Sequence, residues 1–267
     1  MDVVALIGIG LLTGVTTVLF GFGGGFVAVP VVVWADAALG GDAMRVATAT
    51  SALVMVVNAG FATAVTPRRV LATLRGSRAL LLLLAVGAAV GSLATRLAPA
   101  ELVRWAFVGY VALTVVDLLL RPGFLRPPAR GEAADDAPRP LPAVLGAPVG
   151  AVAAFLGVGG SVMTVPALRR AGHPMRVATA LANPLTLTIA LPATVVSLAG
   201  ATVTTAAAAH RHLVGLVDPL SAAALLLGAL PVIAVLRRRP PRIPDRLYAW
   251  AYICLLVVVA VAMLLSG

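Results

Sequence analysis

Apolar positions in this chain fall in long unbroken runs, at about 3–20, 23–35, 45–66, 79–96, 102–120, 141–156, 159–169, 175–200, 213–236 and 246–266. Most have the length of about 17–25 residues that a helix needs to cross about 30 Å of hydrocarbon. They do not alternate apolar with polar residues, as the strands of a closed barrel must. The pattern predicts an all-α polytopic membrane protein. The second and seventh runs are short, open on glycines and contain a proline. Glycine has no side chain to hold a helical conformation and proline has no backbone donor, so both interrupt a regular helix. At membrane depth such a break is tolerated only inside protein or beside a water-filled cavity. A broken or re-entrant Gly-rich hairpin is therefore expected at each place.

The two breaks are copies of one another. Gly21-Phe-Gly-Gly-Gly-Phe-Val-Ala-Val-Pro30 returns as Gly157-Val-Gly-Gly-Ser-Val-Met-Thr-Val-Pro166 at an offset of 136, which also carries Gly14 onto Gly150. A second string, Met44-Arg-Val-Ala-Thr-Ala49, returns as Met175-Arg-Val-Ala-Thr-Ala180 at an offset of 131. The chain thus divides into a first transmembrane repeat at 1–120, a Pro- and Arg-rich linker at 121–140 and a second transmembrane repeat at 141–267, with five apolar segments per repeat. If each Gly-rich hairpin enters and leaves on one face, sixteen of the twenty arginines gather on one side, leaving Arg45, Arg96, Arg104 and Arg211 on the other. Positively charged loops stay cytoplasmic, so both termini are expected outside an inner (plasma) membrane. An odd number of segments per half makes the two inverted repeats, an architecture shared by many secondary transporters.

Composition narrows the class. At 61% hydrophobic and 11% charged residues, with mean hydropathy +1.05, the chain has too little polar surface for a soluble globule. All twenty basic residues are Arg, and they lie in short loops between apolar runs. They read as topology determinants facing anionic lipid, so the bilayer is a partner and nucleic acid is not. The opening Met1-Asp-Val-Val lacks the positive region of a signal peptide, and the first run is expected to be retained. Cys254 stands alone, which excludes a disulfide framework and a thiolate metal site. His210 and His212 have no third ligand nearby, so neither a metal nor a cofactor is expected.

Candidate binding groups cluster at the repeated strings. A helix that starts on a Gly-rich turn presents free N–H groups and the positive end of its dipole, which together receive anions. Gly23, Gly24 and Gly25 in one half, with Gly159, Gly160 and Ser161 in the other, are the first candidates for substrate binding. The alternative is that they only allow close helix packing. Thr48, Thr50 and Ser51, with Thr179, Asn183 and Thr186, add hydroxyl and amide groups at helical spacing, or else bond to their own preceding turns. Pro184 and Pro192 suggest a kink in the same helix. Arg45 and Arg176 are equivalent and lie at opposite mouths, either to attract oxyanions or to anchor helix starts. Asp117 is expected to pair with Arg121 at i, i+4. A coupling proton or cation and a homo-oligomer are left open. No Walker string, metal cluster or Ser–His pair at a recognisable spacing points to an enzyme.

The paired G-x-G-G/S motifs, each followed by Pro five or six residues later and then by an Ala/Thr-rich helix, resemble the sulfite exporter TauE/SafE family of membrane permeases, also called the toluene sulfonate uptake permeases. The resemblance spans nearly the whole chain. It implies a permease that moves a small sulfur-containing anion such as sulfite, a sulfonate or sulfoacetate, here by alternating access. The alternatives are an anion channel, a permease for another small organic anion, or a membrane scaffold or intramembrane enzyme. Family members often carry a Gly-Thr-Ser-like string after each motif, whereas this chain has Thr48-Ala-Thr-Ser51 and Thr179-Ala-Leu-Ala-Asn-Pro184, which leaves the anion open.

Overall fold

The computed structural model describes residues 3–125, 140–199, 213–238 and 243–265. Its main helices are α1 (Val3–Phe20), α2 (Gly25–Ala35), α3 (Ala43–Ala64), α4 (Arg78–Leu97), α5 (Ala100–Leu120), α6 (Gly146–Leu156), α7 (Ser161–Arg170), α8 (Met175–Leu198), α9 (Pro219–Arg238) and α10 (Asp245–Leu265). Seven of them are long and apolar enough to cross a membrane: α1, α3, α4, α5, α8, α9 and α10. The other three have 11, 11 and 10 residues. At about 1.5 Å per residue, each of those reaches roughly half of a 30 Å hydrocarbon layer. Most of the expected linker, 126–139, lies outside the described residues, as do Arg211, His210 and His212.

Two element starts differ from the sequence expectation, each for a local reason. The run at 141–156 becomes α-helical only at Gly146, after a 3₁₀ turn over Ala143–Leu145. The run at 213–236 becomes helical only at Pro219. Buried Asp218 caps that helix: its carboxylate accepts from the N–H of Leu220 at 2.9 Å, from the N–H of Ser221 at 3.2 Å and from the Ser221 hydroxyl at 2.6 Å. Proline is suited to the first helical position because its missing N–H would have no partner there. The helix α8 runs continuously through both Pro184 and Pro192.

The closest-packed helix pairs are α4 with α6, α1 with α9, α3 with α8, α2 with α3, α4 with α8, α3 with α9, α7 with α8, and α5 with α10. Exchanging α1–α5 for α6–α10 carries every one of these pairs onto another or onto itself. Small residues permit the tightest of them. A Cβ on Gly14 of α1 would lie 2.6 Å from the carbonyl oxygen of Ala229 on α9, and one on Gly146 of α6 would lie 2.7 Å from that of Leu80 on α4. The pair α3 and α8 sits at the centre and carries the second repeated string. Exposed Leu82, Val86 and Val90 on α4, with Leu113, Val116 and Leu120 on α5, give the outside an apolar face suited to lipid.

One part of the core forms around the first glycine motif and not around its copy. Phe22 and Phe26 pack ring to ring at 5.0 Å, and Tyr252 of α10 lies 5.1 Å from Phe22 and 5.4 Å from Phe124. The second copy has Val158 and Val162 where the first has Phe22 and Phe26. The Tyr252 hydroxyl donates to the Ser161 carbonyl at 3.1 Å, tying α10 to the start of α7.

Candidate functional site

Each glycine motif forms a tight turn that feeds a short helix. Gly21, Gly23 and Gly24 have φ of 74°, 62° and 85°, and Gly157 and Gly159 have 69° and 70°. This left-handed region costs a residue with a Cβ about 1–2 kcal/mol. Gly160 departs from its counterpart Gly24, with an ordinary helical φ of −78°. Neither short helix has a side-chain cap on its first N–H groups.

The motifs pack crosswise, each against the helix that follows the other. A Cβ on Gly21 would meet Thr179 and Ala182 of α8, and one on Gly157 would meet Thr48 and Ser51 of α3. Those partners are themselves equivalent at the offset of 131. Gly23 and Gly159 both face Met55 and Thr186, Gly25 faces Met55, Gly24 faces Asn58 and Gly160 faces Ile189. The sequence-predicted residues Gly23, Gly24, Gly25, Gly159, Gly160 and Ser161 are thus gathered at the α3–α8 crossing, and all are buried. Thr48, Ser51, Thr179, Asn183 and Thr186 are buried there as well, whereas buried Thr50 meets Asp218.

The polar groups of this centre divide by what they bond. The Thr48 hydroxyl donates to the Met44 carbonyl at 2.8 Å and that of Thr179 to the Arg176 carbonyl at 3.2 Å. Ser51 lies within reach of two carbonyls, Thr48 in its own helix at 2.9 Å and Gly157 in the other half at 3.0 Å. The Thr50 oxygen accepts from the Asp218 N–H at 2.9 Å. The Asn183 amide donates to the Thr179 carbonyl at 3.2 Å. In contrast, Asn183 Oδ1, Ser161 Oγ, Thr186 Oγ1 and both polar atoms of Asn58 are buried with no hydrogen-bond partner among the described residues. Buried polar groups are almost always satisfied, so such a cluster calls for an explanation. Asn58 escapes sequence reasoning because the second half has Ile189 at its place, so the repeat does not flag it.

Two cavities approach this centre. One, of about 460 Å³, is lined among others by Arg176, Thr179, Arg69, Arg237 and Tyr248. The other, of about 20 Å³, is lined by Arg45, Thr48, Ser92, Arg96 and Ser197. The repeated Arg and Thr, at 45 and 48 in one half and 176 and 179 in the other, therefore head two vestibules of very different size. Hydrogen bonds tie together the residues around the narrow one. Arg45 donates to Asp42 at 3.3 Å and to the Ala98 carbonyl at 3.1 Å, Thr95 to the Phe155 carbonyl at 2.8 Å, and Arg96 to the Val196 carbonyl.

The charges around the C-terminal ends of α5 and α7 are paired. Asp117 bonds Arg121 at 3.1 Å, as its spacing predicted, and also Arg170 at 2.7 Å. Buried Arg169 reaches Asp245 at 2.6 Å and the Phe124 carbonyl at 3.3 Å. Burial in the α7–α8 loop lowers the pKa of His173. Buried Asp36 follows the run 23–35 and buried Asp218 lies inside the run 213–236, and sequence reading passes over both. Among the described residues, no group of three or more His, Cys, Asp or Glu could hold a metal.

The model of the sulfite exporter TauE/SafE family matches residues 6–263, from the first turn of α1 to the last turn of α10. The chain belongs to the sulfite exporter TauE/SafE family. Both glycine motifs and both vestibules fall inside the match, and with seven apolar spans this TauE/SafE chain is a multi-pass membrane transporter. No curated protein and no solved structure matches it.

Proposed function

We propose that this transporter moves a small sulfur-containing anion such as sulfite, a sulfonate or sulfoacetate across the inner membrane by alternating access between two inverted repeats, residues 1–120 and 141–267. The observation that carries the reading is the pair of unequal vestibules, about 460 Å³ and 20 Å³, which reach Thr179 and Thr48, the two equivalent residues on which Gly21 and Gly157 pack. A carrier needs a central site reached from one side at a time, and paired broken segments at the repeat interface supply it.

In this reading the substrate oxygens are held by the first N–H groups of α2 and α7, beside Gly23, Gly24, Gly25, Gly159, Gly160 and Ser161. Glycine lets an anion approach that backbone closely, and the helix dipoles favour its charge. The unpartnered Thr186, Asn183 and Ser161 atoms are available to complete the shell. The wide vestibule shares its face with most of the arginines, so the positive-inside rule makes it cytoplasmic and places both termini outside. The present conformation is then open inward and closed outward, with Arg45 and Arg96 at the closed mouth and Arg176 at the open one.

Gly24→Leu and Gly160→Leu, made together, would fill the centre from both halves. The expected result is lost sulfite uptake into proteoliposomes by protein that still inserts as wild type. Uptake retained by the double variant would reject the proposed centre.

A further inference from the structure

The arginine deepest in the wide vestibule does not behave like the others. Arg237, in the last turn of α9, has Nε and Nη2 buried with no hydrogen-bond partner among the described residues. Asp245, the nearest acid named on α10, is bonded to Arg169 at 2.6 Å. Among the described residues, the vestibule lining contains Arg69, Arg176 and Arg237 and no carboxylate. Burying an unpaired guanidinium is costly, and crowding it with two more raises the cost. Tyr248, whose hydroxyl donates to the Leu19 carbonyl, lines the vestibule together with Arg237, Arg176 and Thr179, so these groups share one space.

Packing register shows that this charge belongs to one vestibule only. Gly10 and Gly14 rest on the carbonyls of Leu225 and Ala229, as Gly146 and Gly150 rest on those of Leu80 and Leu84. That match puts Arg237 at the place of Ser92, which lines the narrow vestibule. Arg96 lies one turn farther along α4 and is bonded to the Val196 carbonyl. The narrow side thus has a serine at this position, and its Arg45 and Arg96 each donate to a backbone carbonyl.

We infer that Arg237, with Arg176 and Arg69, forms an oxyanion-loading site in the wide vestibule, outside the glycine-motif centre. This inference rests on the permease reading and adds a second anion station to it. A planar, permanently charged guanidinium gives two parallel N–H donors to one oxyanion, which suits a sulfite or sulfonate group. A cavity of about 460 Å³ holds such an anion together with water.

The test is binding, read separately from transport. Full-length protein in detergent is titrated with sulfite, methanesulfonate, phosphate and acetate at fixed ionic strength, following the anion-induced rise in melting temperature. The variants are Arg237→Gln, Arg237→Lys and, as control, Arg121→Gln, whose side chain is exposed and paired with Asp117. Arg237→Gln is expected to weaken sulfite or methanesulfonate binding by about tenfold or more, the size of one lost charge-assisted hydrogen-bonded contact. Arg237→Lys is expected to fall between, and Arg121→Gln to match wild type. Without anion, Arg237→Gln should melt no lower than wild type, because an uncompensated charge has been removed. Wild-type affinity in Arg237→Gln overturns the site, and continued sulfite uptake by wild type would then leave the permease reading standing. Arg237-dependent binding of phosphate or acetate alone supports the site and overturns the sulfur-anion reading. No shift with any of the four anions overturns the site.

Discussion

Gly24 and Gly160 are equivalent in sequence yet should respond differently to the same change. Gly24 has φ 85°, and a Cβ there would lie 2.8 Å from Asn58 Nδ2, 3.4 Å from Thr13 Cβ and 3.5 Å from Val54 Cγ1. Alanine must then adopt a left-handed conformation at about 1–2 kcal/mol and displace packed neighbours at about 1–3 kcal/mol, roughly 2–5 kcal/mol together. Gly160 has φ −78°, and its Cβ would meet only the tip of Ile189 closely, at 2.5 Å, with the next atoms at 3.7 and 3.8 Å. Turning Ile189 costs about 0.5–1.5 kcal/mol, while replacing a helix-compatible glycine by alanine returns about 0.4–1 kcal/mol. The net effect at Gly160 is close to zero. The expected difference of about 3 kcal/mol corresponds to roughly 6–12 °C in melting temperature for a chain of this size. The assay is thermal unfolding of Gly24→Ala and Gly160→Ala in one detergent. Melting temperatures within about 2 °C of each other would refute the conformational argument.

Three further outcomes follow from the same geometry. Asp218→Ala removes the cap of α9 and the partner of Ser221, and should cost about 1–2 kcal/mol, read as a lower melting temperature. Arg169→Ala breaks the buried contact to Asp245 and the donation to Phe124, for a loss of about 3 kcal/mol measured in the same way; an unchanged melting temperature would count against a structural role. Burial lowers the His173 pKa, so below the ordinary value of 6.5 the unfolded chain takes up a proton that the folded chain resists. Stability should therefore fall as pH drops from about 6.5 toward the folded pKa, and His173→Gln should lose less than wild type between pH 7.5 and 5; parallel losses would contradict this.

Long apolar runs were readable because a membrane-crossing helix must hide its whole backbone and can carry few charges. The run at 3–20 is α1 to the residue, and 175–200 is α8 to within its last turn. One error lies where a polar residue inside the run sets the helix start. Asp218 starts α9 at Pro219 by accepting its first N–H groups, and a lone Asp before Pro inside an apolar stretch carries little weight in a hydropathy reading. In the candidate site, the repeat singled out what both halves share: the glycines and the Arg and Thr of the crossing helices. It was blind to what one half has alone. Asn58 faces Ile189 across the repeat, Phe22 and Phe26 face valines, and Arg237 faces Ser92. In the Arg237-Arg-Arg239 string it read as a topology marker, because only the folded packing separates a buried guanidinium from its neighbours in the chain.

The central claim is carrier-mediated passage of a sulfur-containing anion, and uptake of labelled sulfite by proteoliposomes tests it most directly. Preloaded unlabelled sulfite should accelerate entry of the label, and entry should saturate with concentration and be competed by methanesulfonate, with and without an imposed proton gradient. A carrier that exposes one central site to one side at a time must show this exchange. Sulfite entry that is absent, or that rises linearly without saturation or exchange in vesicles holding folded protein, would contradict the account.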